Sequence, residues 1–352
     1  MKKHIIASAV AGLIAAPVMA QNVTIGGYIE TGYQDLAFDA VADNAARGIK
    51  GAASSVFGSS RLVIGGSEDL GGGMKAGFRL ESTLNVATGQ MGADTAGNQL
   101  GSGNGEIFNR GAELSLEGAF GRFRIGQFDH RGGEDTDINV VGNIALNSGI
   151  TGANNTAAGV EIGSDRKGSY AYRTPSIGGA TIEFAHSTED GQKTTSSTAT
   201  TVGSVTSVFV EGSASGVNYR AGYAQEKAAG AITATNNDAS RYGVGATYDF
   251  GVVSASVAYA KATLTTQTRN KELVVSAKYP LGNGLDARLA WRDFSTNAAA
   301  PGASPDQKQV TYALAKAFSK RTNGFLAYTT FDRTGGTLGD SNRGYIGVGH
   351  SF

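Results

Sequence analysis

Beyond Ala20, the chain of 352 residues carries only His130, His186 and His350 as histidines, and it has no cysteine. Acyl transfer or hydrolysis at neutral pH requires a histidine with a serine or carboxylate partner, and a thiolate metal centre requires ligands this composition lacks. His186 alternates with Ile182 and Phe184, and His350 with Val348 and Phe352. Strand periodicity therefore aims both rings at an apolar surface, while His130 stands alone in a polar stretch. Neither a glycine–lysine phosphate cradle nor a calcium-loop pattern occurs. No catalytic residue, cofactor or metal is expected, and the chain is not read as an enzyme.

The remaining chemistry is that of fixed charge. Arg79 lies between Phe78 and Leu80, and Arg124 between Phe123 and Ile125. Strand side chains alternate between faces, so apolar neighbours on one face put each arginine on the other, towards water. The same register assigns Arg61, Lys75 and Arg122 to the water side. An arginine at the midplane of hydrocarbon costs about 2–4 kcal/mol, which opposes the reverse assignment. The acidic residues Asp129, Glu134, Asp135 and Asp137 open the longest polar segment, residues 129–167.

The elements that must hold these charges follow from the period-two pattern. In "LDARLAWRDF", Leu285, Ala287, Leu289 and Trp291 oppose Asp286, Arg288, Ala290 and Arg292; "RYGVGATYDF" from Arg241 to Phe250 repeats the pattern. Such runs are about 9–12 residues long, the length a tilted strand needs to cross a bilayer, whereas soluble sandwich strands are shorter. Tyrosine, phenylalanine or tryptophan stands near several strand ends, where aromatic girdles lie. Tight connections such as "EDLGGGMK" and "YPLGNGLD" alternate with long polar segments, namely 86–106, 129–167, 188–202, 227–240, 296–307 and 334–343. Short turns at one rim and long loops at the other describe an antiparallel transmembrane β-barrel of about sixteen strands. The 52 glycines fit such a wall, where strand bends and close backbone approaches are tolerated.

The ends of the chain agree. "MKKHIIASAVAGLIAAPVMAQ" has a basic start, a short apolar core and a small-residue site, the form of a secretory signal peptide cleaved after Ala20. One domain, residues 21–352, then remains. No later stretch approaches the ~18 apolar residues of a spanning helix. Without Lys2 and Lys3 there are 28 basic residues against 30 acidic, so no basic field for nucleic acid is present. At the other end Gly344, Ile346, Val348, His350 and Phe352 share one strand face. A membrane barrel admits no open edge, so this last strand is expected to close on residues 22–34, with Phe352 on the lipid side at the seam.

Four stretches, "SSRLVIGGSEDLGGGMKAGFRLES", "FNRGAELSLEGAFGRFRIGQFD", "YALAKAFSKRTNGFLAYTTFD" and "GYIGVGHSF", resemble the Gram-negative general diffusion porins of the trimeric sixteen-stranded type found in beta-proteobacteria. The resemblance implies an outer-membrane channel for passive diffusion of ions and small hydrophilic solutes. It also implies a third loop folded into the pore, with Asp129, Glu134, Asp135 and Asp137 facing a basic wall of Arg61, Lys75, Arg79, Arg122 and Arg124. A homotrimer among lipid and lipopolysaccharide is implied, and Phe352 would serve as the C-terminal signal to the barrel-assembly machinery. Gly26 and Ala112 are expected on the outer face, where small residues suit subunit packing. Many relatives carry an arginine where this chain has Ala171, and here Arg173 lies one same-face step along. The alternatives are a substrate-selective channel, for sugars or phosphate, and a plugged structural or adhesive barrel.

Overall fold

A computed structural model describes residues 22–38, 49–92, 107–128, 166–187, 202–228, 238–264, 269–296, 306–334 and 340–352. The expected signal peptide and most of the long polar segments, the acidic start of the third loop included, lie outside the described residues. The strands run in order: β1 (Asn22–Phe38), β2 (Ile49–Ser54), β3 (Arg61–Gly71), β4 (Met74–Asn85), β5 (Gln90–Met91), β6 (Gly111–Gly118), β7 (Gly121–Phe128), β8 (Arg166–Arg173) and β9 (Ala180–Ser187). They continue as β10 (Val202–Ala214), β11 (Val217–Ala228), β12 (Ala239–Asp249), β13 (Ser254–Leu264), β14 (Arg269–Gly282), β15 (Leu285–Thr296), β16 (Asp306–Ala317), β17 (Thr322–Thr334) and β18 (Ser341–Ser351).

Two of these elements are not separate staves of the wall. β2 and β3 both pair with β1, β2 along its second half and β3 along its first, so together they form one interrupted stave. Among the described residues β5 pairs only with the end of β4, through Leu84↔Met91 and Asn85↔Gln90, inside the segment expected as loop 86–106. Sixteen staves remain, each antiparallel to the next, and β18 closes on β1 from Tyr28↔Ser351 to Phe38↔Ser341. Closure satisfies every edge, which is what lets a sheet stand in hydrocarbon.

At one rim the connections are tight. Gly72–Gly73, Ser215–Gly216 and Asn283–Gly284 are two-residue turns with positive φ at both positions. Such turns match the right-handed twist of the paired strands, and glycine or asparagine adopts them at little cost.

The wall has two chemically different faces. Leu114, Ile125, Phe184, Val244, Tyr279, Tyr312, Leu326 and Ile346 are exposed on the outer face, while their odd-step neighbours such as Glu113, Arg124, Glu183, Ala313, Ala327 and Tyr345 turn inward. An apolar belt on this scale is a lipid-contacting surface; a protein in water would hide it. Phe352 ends this face: its N–H donates to the Gly27 carbonyl at 3.2 Å, and the Gly27 N–H returns a bond at 3.2 Å. The phenyl ring covers Gly27, where a side chain would meet ring carbons at 2.8 Å. Ala112 faces outward as expected, opposite Leu80. Gly26 does not: it pairs with Val63, which pairs with Glu81 on the inner face.

Candidate functional site

Inward-facing charges concentrate on the wall from β3 to β11, and pairing register places them there. On β4 the residues Lys75, Gly77, Arg79 and Glu81 share the inner face; on β6 these are Glu113, Ser115 and Glu117, and on β7 Arg122 and Arg124. Glu81 is the first hub. Its Oε2 accepts from Arg79 Nε at 3.2 Å and from Arg79 Nη2; its Oε1 accepts from Arg110 Nε at 3.0 Å, with Arg61 Nε at 3.6 Å. Glu113 is the second, accepting from Arg122 Nη2 at 2.9 Å and Arg124 Nη1 at 3.1 Å. Arg124 also donates through Nη2 to Glu183 at 2.6 Å and lies 4.0 Å over the Phe128 ring, which fixes its plane. Farther round, Arg173 donates to Glu211 and to Thr181 Oγ1, and Arg220 approaches Glu211 at 3.7 Å.

The order of burial in this belt determines its electrostatics. The Glu81 side chain is 10% exposed and Glu113 4%, while Arg79 is 48% exposed, Arg61 41% and Arg122 36%. Carboxylates lie against the wall with their oxygens occupied, and the guanidiniums of Arg61, Arg79 and Arg122 lie over them towards the lumen, while Arg124 is buried among them at 14% exposure. Burying a carboxylate is tolerated only when it is paired and hydrogen-bonded, and planar guanidiniums supply several donors each. Among the described residues of this network, seven arginines (61, 79, 110, 122, 124, 173, 220) meet four glutamates (81, 113, 183, 211), a net charge of +3 for that set. Elsewhere the wall carries balanced pairs, Arg241–Glu226 at 2.8 Å and Arg292–Glu272 at 2.5 Å, both well buried.

Of the basic residues singled out in the sequence, Arg61, Arg79, Arg122 and Arg124 come together in this belt. Lys75 shares their face but lies beside the β3–β4 turn, opposite Asp69 and Glu117 and apart from the Glu81 hub. Asp129, Glu134, Asp135 and Asp137 fall outside the described residues. Arg173 stands opposite Arg122, and Ala171 opposite Arg124. Sequence reasoning missed the carboxylate hubs, together with Arg110 and Arg220. The signal was present, since Glu81 follows Arg79 by two residues and Glu113 alternates with Ala112 and Leu114. Among the described residues no three His, Cys, Asp or Glu side chains gather as a metal site.

Known proteins share this architecture. A family model described as "Gram-negative porin" matches residues 7–336. Outer membrane porin protein 32 of Delftia acidovorans is 29% identical, covering 99% of this chain and 95% of its own length. An outer membrane porin protein of Bordetella pertussis is 25% identical over the full length of both chains. Among solved structures, an anion-selective porin from Comamonas acidovorans superposes with a TM-score of 0.70 at 25% identity, covering 94% of this chain and 100% of that one. A closed sixteen-stave barrel with an apolar outer belt, a charged lumen and a family match over most of its length is a channel of the outer membrane, and the chain belongs to the Gram-negative porin family.

Proposed function

We propose that this porin is a selective channel that favours anions, with small hydrophilic anionic solutes as its cargo. The observation that carries the reading is the layering of the belt: buried carboxylates beneath the exposed guanidiniums of Arg61, Arg79 and Arg122, with net +3 over its described residues. Fixed charge in a confined, low-dielectric-walled lumen raises the local concentration of counter-ions and repels ions of the same sign. The likeness to a porin described as anion-selective points the same way. The general-diffusion expectation thus narrows to a selective channel. Arg61, Arg79, Arg122 and Arg124, joined by Arg110, form the basic wall of the constriction in this proposal. Asp129, Glu134, Asp135 and Asp137 would oppose them, Lys75 would act at the rim, and Phe352 would be read by the barrel-assembly machinery. Trimer formation and lipopolysaccharide contact complete the proposal.

An ion-replacement series tests the preference. In planar bilayers, replacing potassium by a bulky organic cation should leave most of the conductance. Replacing chloride by a bulky organic anion should remove most of it, and the opposite ranking would refute the anion reading.

A further inference from the structure

The stave made by β2 and β3 is broken where it faces the middle of β1. Thr31 pairs with Ser54 and Tyr28 with Arg61, so six residues, Ser55–Ser60, stand opposite only Ile29 and Glu30. The surplus turns into the barrel. Val56 and Phe57 are buried in one cluster with Ala53, Ala290, Ala313, Ala327 and Tyr345, all on the inner face. The Phe57 ring stacks on Phe325 at 4.3 Å, with planes 12° apart, and lies 5.9 Å from the Tyr345 ring. Across β15 to β17 the wall beneath offers alanines, which leave room for the intruding ring.

Glu30 holds this turn. Its Oε1 accepts from Val56 N at 2.9 Å, Phe57 N at 2.7 Å and Tyr345 Oη at 3.1 Å; its Oε2 accepts from Gly58 N at 2.8 Å and Tyr28 Oη at 2.8 Å. The Glu30 backbone is occupied as well, with its N–H donating to Ser60 Oγ at 2.9 Å and its carbonyl accepting from Ser54 Oγ at 3.1 Å. Ser60 N donates to Ser55 Oγ at 2.9 Å, which closes the turn, and Ser55 takes a φ of 64° to enter it. The two tyrosines reach Glu30 only because they lie flat on glycines: a side chain at Gly349 would collide with Tyr28, and one at Gly347 with Tyr345. A patch that merely bridged a gap in the wall would need neither the five-donor carboxylate nor the buried ring.

We propose that the Val56–Phe57 turn, latched by Glu30, is a pore-narrowing element built into the barrel wall, and that Phe57 sets part of the solute size limit. The turn covers the inner faces of β15–β18 and β1, and on its other flank the stave continues directly into Arg61 of the guanidinium belt. The inference rests on the channel reading and not on its ion preference. It assigns size discrimination to the wall turn and charge discrimination to the belt.

The test compares wild type, Phe57→Ala and Phe57→Leu by single-channel conductance and by a polyethylene glycol exclusion series in planar bilayers. Phe57→Ala should raise conductance roughly 1.5-fold and admit polymers that wild type excludes, because the buried ring, stacked on Phe325, spaces the turn off the wall and its loss lets the turn settle back. Its reversal potential in a salt gradient should stay where wild type has it. Unchanged conductance and exclusion in an assembled Phe57→Ala barrel would overturn the proposal, whatever happens to its heat stability. If Phe57→Ala fails to assemble, the smaller side chain of Phe57→Leu decides by the same readouts, a partial rise in favour and no rise against. Wild type without conductance steps would sink the channel reading itself, a separate outcome.

Discussion

Replacing both Arg61 and Arg79 by alanine should move the zero-current potential in a salt gradient strongly towards cations. The two side chains supply the exposed positive charge over Glu81, and their removal leaves that carboxylate facing the lumen with Arg110 alone. The belt falls from net +3 to +1, with its bare negative oxygen at the site of loss. A unit charge about 5 Å from a passing ion is worth roughly 1 kcal/mol even at the dielectric of water. Salt screens this over a Debye length of about 10 Å at 0.1 M, so the ratio of anion to cation permeability should drop roughly three- to tenfold. Conductance steps should persist, since the barrel wall is untouched. Steps with wild-type selectivity would mean that these arginines lie off the ion path.

The second large effect concerns stability. Glu30→Ala should cost about 3–5 kcal/mol, the range for leaving a buried charged network without one partner. Three backbone N–H groups and two tyrosine hydroxyls lose their acceptor at once. Water entering the lumen side recovers part of this, which keeps the cost below the sum of five single losses. Tyr345→Phe removes one neutral donor from the same carboxylate and should cost only about 1 kcal/mol. Urea unfolding of the protein refolded into lipid vesicles gives both numbers. A Glu30→Ala loss no greater than that of Tyr345→Phe would show that Glu30 does not hold the turn.

The wall of the barrel is legible in the sequence because each stave repeats a two-residue rule that a bilayer enforces. Phe78 and Leu80 around Arg79, or Phe123 and Ile125 around Arg124, point one way only, and the structure turns those arginines inward. The closing strand can be read for the same reason: Ile346, Val348 and Phe352 face out, and β18 pairs with β1. Pairings between distant strands are not legible. Arg124 reaches Glu183 across 59 positions and Arg173 reaches Glu211 across 38, and period-two patterning carries no information on which charge meets which. The inward turn escapes for another reason. "SSVFGSS" carries no period-two pattern, and only the register of β1 against both β2 and β3 reveals the surplus residues. Gly347 and Gly349 look like ordinary barrel glycines, yet each clears a bed for a tyrosine bound to Glu30. Gly26 is misplaced because glycine gives alternation no signal of its own, although the outward Val23 and Ile25 beside it already turn it inward, as its pairing with Val63 shows.

An open outer-membrane channel whose lumen presents guanidinium over buried carboxylate is tested most directly by one quantity. That quantity is the zero-current potential of the wild-type protein in a planar bilayer separating concentrated from dilute potassium chloride. The expected result is stepwise conductance with the dilute side negative, because chloride crosses ahead of potassium. A dilute side that turns positive would contradict the anion-favouring belt.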